Sequence, residues 1–148
     1  MALIPSIHGR LSGDLLIQGF APGGVYDRDI RPLGMGETPN AYESTGLLRP
    51  LLMVDDTGGS ADPFGPTGAY GEYVFVWAFG PRTTNGRTAV RNLIERSTVL
   101  LHNWHEPTTR ARMVRADRLG EQADDADPDA VMDRLRFRVV GMYAGVTV

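Results

Sequence analysis

Glu72-Tyr-Val-Phe-Val-Trp-Ala-Phe79 is the stretch whose reading decides the fold. Nearly every residue in it is β-branched or aromatic, which suits an extended, pleated chain. Side chains alternate along a strand, so Tyr73, Phe75, Trp77 and Phe79 share one face and Val74, Val76 and Ala78 the other. Both faces are apolar, and the run is therefore expected to be a central strand covered on both sides. Trp77 is then expected between two layers, where truncation to Ala costs about 3–5 kcal/mol. Gly80-Pro81 ends the strand, and Thr83 or Thr84 is placed to cap a helix running to about His102. In that helix Val90, Leu93, Ile94, Ser97, Leu100 and Leu101 form one stripe, while Arg87, Arg91, Glu95 and Arg96 lie mostly elsewhere.

Toward the C-terminus, Arg110–Leu119 is a weaker strand candidate and Glu121–Asp129 an acidic, solvated loop, with Asp129 placed to cap a single turn over 129–132. In Asp133–Ala144, Leu135, Phe137 and Val139 point one way and Arg134, Arg136 and Arg138 the other, as in a long strand with one wet face. Three like charges on one strand face repel, so they need water or acidic partners. A neighbouring chain's acids, with Asp124–Asp129 as candidates, could supply them, and a DNA-contacting surface is a lesser reading.

Toward the N-terminus, Asp55–Ala69 has almost no apolar content and many turn residues, which marks a mobile loop of functional use. Leu47–Val54 is β-prone but contains Pro50, so this strand starts at Pro50 or lies at a sheet edge. Residues 32–46 read as loop, and Val25–Ile30 as a short polar strand of edge character. Ile4, Ile7, Leu11 and Leu15 or Leu16 recur about once per helical turn and predict one short helix within 2–17, weakened by Gly9 and Gly13. The order of elements gives an α/β (α+β) sandwich with a mixed, mostly antiparallel sheet packed with an N-terminal helix and one long amphipathic helix.

The 148 residues fit a single domain spanning 1–148. Cysteine is absent, which excludes disulfides, thiolate metal sites and a cysteine nucleophile. A net charge of -3 gives no basic excess, so no specific nucleic-acid binding is expected. No apolar run reaches the roughly 20 residues of a membrane helix, and Met1–His8 lacks the pattern of a signal peptide. All 15 basic residues are Arg, which a GC-rich genome explains most simply.

His102-Asn-Trp-His105-Glu106 is the one stretch that looks like a metal site. It lacks the His-Glu-x-x-His spacing, and Pro107 stops a helix at once, so a helix C-terminus with Trp104 packed beneath it is the better reading. Gly34-Met-Gly36 has no strand before it or helix after it to make a dinucleotide site. Asp55-Asp56 and Asp124–Asp129 lack the spacing of a calcium loop, and no Gly-x-Ser-x-Gly elbow places a nucleophile. No catalytic residue, metal ligand set or cofactor site is expected.

The strand Glu72–Phe79, the helix Arg87–His102 ending on Leu-His, and the Arg-rich ending Asp133-Arg-Leu-Arg-Phe-Arg-Val-Val-Gly-Met-Tyr143 resemble the tail-terminator (tail completion) proteins of long-tailed phages over about residues 70–144. The resemblance implies a non-enzymatic structural protein forming a hexameric ring. Such a ring caps the tail tube, stops its growth and offers the surface that joins the filled head. The implied partners are other copies of the chain, the tail tube protein and a head-closure or connector protein. The implied location is the tail–neck junction of the virion, with the host cytoplasm during assembly. Arg134, Arg136, Arg138, Asp55, Asp56 and Phe64 are then the candidate interface residues. A head-to-tail ring contact is heterologous, so two different faces must complement each other. Another phage neck component, itself a head-closure or connector protein, is the second reading, and a small metal-binding enzyme built on His102 and His105 the third.

Overall fold

The computed structural model describes residues 3–27, 39–56, 60–61, 70–108, 110–124 and 127–141. In chain order they form α1 (Leu3–Ser12), α2 (Leu15–Phe20), β1 (Val25–Tyr26), β2 (Leu51–Asp56), β3 (Ser60–Ala61), β4 (Tyr70–Pro81), α3 (Thr84–Leu101), β5 (Arg112–Arg118), β6 (Gln122–Ala123) and β7 (Ala130–Val140). The sheet order is β1-β2-β4-β7-β5, with β3 paired to β4 and β6 to β7. Only β1 and β2 run parallel, so the protein is α+β with a mixed, mostly antiparallel sheet, as its element order predicts. Among the described residues no helix is long and apolar enough to cross a membrane.

β4 is central. It pairs with β2 from Leu51↔Phe79 to Asp56↔Val74 and with β7 from Glu72↔Val139 to Pro81↔Ala130. Val74, Val76 and Ala78 are buried with Leu135, Phe137 and Val139 of β7 beneath α1, α2 and α3. On the opposite face Ala41, Leu48, Leu51, Met53, Phe79 and Ala130 form a second, smaller cluster among the described residues. The expectation of full cover on both sides is therefore corrected among the described residues: Tyr73, Phe75 and Trp77 are half-buried, with Trp77 packed against the second cluster.

Several local expectations also change. The N-terminal helix is two, because Gly13 turns the chain and Asp14 caps α2 by accepting from Ile17 N at 3.0 Å. The break resets the helical phase, so Ile17 is buried while Leu15 and Leu16 face outward. β2 starts directly after Pro50, where the missing N–H costs the ladder nothing, and it lies inside the sheet between β1 and β4. Within 55–69 the chain places Asp55 and Asp56 in β2 and pairs Ser60↔Gly71 and Ala61↔Tyr70, so it is not structureless throughout. Residues 57–59 and 62–69, on which the expected mobility rests, lie outside the described residues, as do 28–38 of the expected β1 strand and the loop after it. Ala130–Met132 is strand rather than a helical turn, because β4 and β6 both pair with it.

α3 lies hard against the end of β4. Thr83 caps it, its hydroxyl oxygen accepting from Gly86 N at 3.0 Å. A Cβ on Gly86 would stand 2.0 Å from the Pro81 carbonyl oxygen, so only glycine allows this approach. α2 is pinned to α3 by a two-pronged ion pair, Arg96 Nη2 to Asp14 Oδ1 at 2.7 Å and Arg96 Nε to Asp14 Oδ2 at 3.0 Å. The Arg96 guanidinium, helped by the Ile17 N–H, holds the Asp14 carboxyl below the usual carboxylate range against the opposing effect of its partial burial.

Gly86→Ala should destabilise by about 3 kcal/mol through overpacking. Gly9→Ala, where an added Cβ meets nothing within 4 Å, should stabilise by about 0.5–1 kcal/mol; urea melts of the two variants separate the effects. Because the folded carboxyl of Asp14 titrates lower than the unfolded one, its stabilisation is complete above the unfolded value of about 3.9. It is lost as pH falls through the folded value. The gap in melting temperature between wild type and Asp14→Asn should therefore narrow on acidification below about pH 4.

Candidate assembly surface

The half-covered face of the sheet is built by the β4–β7 register. Tyr73 lies opposite Arg138, Phe75 opposite Arg136 and Trp77 opposite Arg134, so each guanidinium can lie over a ring. Arg134 Cζ stands 5.3 Å from the Phe75 ring centroid and 5.7 Å from that of Trp77, and Arg136 Cζ 4.8 Å from that of Tyr73. Phe75, Trp77 and Phe79 continue as a ladder with successive centroids 6.3 Å apart. Each cation–π contact contributes about 0.5–1 kcal/mol at an exposed site. They also account for Nε of Arg134 and of Arg136, which is shielded from water without a hydrogen-bond acceptor among the described residues.

The repulsion expected within the arginine stripe is relieved inside the chain. Arg134 Nη2 donates to Asp117 Oδ1 at 3.2 Å, and Arg136 Nη2 pairs with Asp117 Oδ2 at 2.6 Å. Sequence reasoning missed this acid for a geometric reason. Regular alternation from Val114 would place Ala116 on the open face and Asp117 on the helix side. A bulge between Arg115 and Asp117 shifts the register by one, setting Asp117 opposite Arg136 and Arg118 opposite Leu135. Arg118 Nε then reaches the buried Asp133 carboxylate at 2.7 Å, which also accepts from Gly120 N at 2.9 Å and Arg134 N at 2.7 Å. The signal available in the sequence was that Asp117 is the only acid in Arg112–Arg118.

Of the other expected interface residues, Asp55 belongs to the open face, where its Oδ1 accepts from Trp77 Nε1 at 3.3 Å. Asp56 alternates to the other side, opposite Val74. Phe64 lies outside the described residues. In the acidic stretch Asp124 is buried at 4% exposure rather than solvated, because β6 tucks it against the start of β7.

The His102–Glu106 stretch closes the far sheet edge. Asn103 N donates to Met113 O at 2.7 Å, Met113 N to Trp104 O at 2.9 Å, and Arg115 N to His102 Nδ1 at 3.0 Å, so β5 is paired on its outer side. Glu106 is buried and accepts from the Ser6 hydroxyl at 2.8 Å, tying α1 to this segment. His102 and His105 are exposed, and Trp104 packs half-buried against the main core beneath Arg10. Among the described residues no three His, Asp or Glu side chains come together as a metal site.

No protein-family model matches the sequence, and no curated protein matches it. The structure is similar to a chain of the virion of a native gene transfer agent (GTA) particle. The TM-score is 0.60 and the identity 15%, over 93% of this chain and 92% of that one. The likeness is one of fold across nearly the whole of both chains.

Neutralising Asp117 tests the electrostatics of the face. Asp117→Asn should keep the fold and cost about 1 kcal/mol, since each exposed pair contributes about 0.2–1 kcal/mol. At about 1 M salt, where charges are screened beyond roughly 3 Å, the difference from wild type should nearly vanish.

Proposed function

We propose that the protein is a structural, non-enzymatic virion subunit of the tail-terminator kind. It forms a closed head-to-tail ring of its own copies, a hexamer, that caps the tail tube, ends its polymerisation and presents the surface for head joining. The observation that carries this reading is the fold shared end to end with a chain of a gene transfer agent virion particle. The half-covered aromatic and arginine face supports it, since a sheet face of this composition gains by burial against a protein surface. The sequence resemblance over about residues 70–144 supports the tail-end position in particular. Tail tube protein on one side of the ring and a head-closure or connector protein on the other are its partners.

The stripe helps to close the ring. Arg134 and Arg136 share the single carboxylate of Asp117, and a neighbouring copy can bring a second acid to them. Replacing all three by Glu would set them against Asp117, so the test uses Arg134→Gln, Arg136→Gln and Arg138→Gln together. Light scattering after size exclusion should give a sixfold multiple of the 16.2 kDa chain for wild type. The ring should loosen as salt rises, and the triple variant should run as a folded monomer. A wild type that stays monomeric both alone and in the presence of purified tail tubes would refute the ring.

A further inference from the structure

A head-to-tail ring needs a second face that differs from the first, and the helix layer carries one. Leu15, Leu16 and Val99 are 81%, 51% and 67% exposed, three of the four exposed large hydrophobic residues among those described. Leu16 and Phe20 are one turn apart on α2 and so share a side. Phe20 and Val99 line the same shallow groove of about 230 Å³ with Asn92, Glu95 and Arg96. Phe20 and Val99 at the groove, with Leu16 one turn from Phe20 and the exposed Leu15 beside it in sequence, give this helix surface apolar groups suited to a contact. The electrostatics of the groove are equally specific. Arg96 is already held by both oxygens of Asp14, and Glu95 makes no ion pair among the described residues. The groove therefore sets Phe20 and Val99 beside Asn92, a clasped Arg96 and a carboxylate without an ion pair among the described residues.

We infer that this groove receives the aromatic and arginine face of a second copy of the chain, so that the Leu15, Leu16, Phe20, Val99 and Glu95 surface is the other half of the head-to-tail contact. The inference rests on the ring reading above and specifies which surfaces meet. Helices cover one side of the sheet and the arginine stripe stands on the other, so the two surfaces lie on opposite sides of the molecule. Mating them makes a contact that repeats from copy to copy instead of ending at a pair. The chemistry is complementary: Tyr73, Phe75 and Trp77 meet aliphatic side chains, and guanidiniums meet Glu95. A twofold contact of the groove with itself would instead bring Glu95 near its own copy, like charge against like.

A mixing experiment decides it. Leu15→Glu with Leu16→Glu breaks the helix side, and acids at these positions suit the first turn of α2, so the fold is kept. The triple Gln variant of the stripe breaks the sheet side. Each variant alone should run as a folded, cooperatively melting monomer of 16.2 kDa, the stripe variant with a somewhat lower melting temperature because it loses its ring and Asp117 contacts, and an equal mixture should give a species of twice that mass, because one intact junction remains. Glu95→Arg, a single exposed change, should weaken assembly at least tenfold at low salt and serves if the double variant does not fold. A mixture that stays monomeric overturns the inference, and so does a helix-side variant that still forms wild-type rings. Rings that form normally but no longer cap purified tail tubes would assign the groove to the tube protein and overturn it too. A wild type that never assembles, alone or on tubes, removes the ring reading itself.

Discussion

The ten-pair ladder between β4 and β7, from Glu72↔Val139 to Pro81↔Ala130, is the constraint on which the rest of the structure depends. It brings Val74 to Phe137 and Val76 to Leu135 on the helix side, making the floor on which α1, α2 and α3 pack. In the same register it sets an arginine of β7 opposite each aromatic residue of β4 from Tyr73 to Trp77. A slip of one residue would put the arginines into the core and the aliphatic residues into water, so core and candidate interface are specified together.

What covers the sheet is as informative as the sheet itself. The helix side is sealed, partly by ordinary packing and partly by close fits such as Gly86 on Pro81 and the Asp14–Arg96 clasp. Its other side carries, among the described residues, the smaller cluster in which Ala41 and Leu48 pack with Phe79 and Met53. Beyond that point the rings of Tyr73, Phe75 and Trp77 have guanidiniums for cover. Arginine stacked on aromatic rings is a surface that tolerates water and also suits a protein partner, because the planar cation can keep its ring contact while pairing sideways.

The bulge in β5 shows how such a face is kept tolerable in a single chain. One extra residue delivers Asp117 to the arginines and, in the same step, Arg118 to the buried Asp133. Charge that would repel across the open face, and charge that would stand alone beneath it, are both paired by one local irregularity.

Alternation and helical periodicity by themselves determined the α+β class, the central position of Glu72–Phe79, the buried stripe of α3 and the opposed faces of the β7 strand, and they narrowed the cap of α3 to Thr83 or Thr84. These features were legible because each depends on residues a few positions apart, where backbone geometry fixes which side chains share a face. The break at Gly13-Asp14, the pairing of Ala130–Met132, the role of Asp117, and the exposure of Leu15, Leu16 and Val99 were decided by tertiary structure. A helix pattern cannot reveal that its phase resets at an internal cap, and alternation fails at a bulge. The same holds for the two faces of the sheet: composition showed that β4 is apolar on both sides, but only the packed fold decided which side the helices fill.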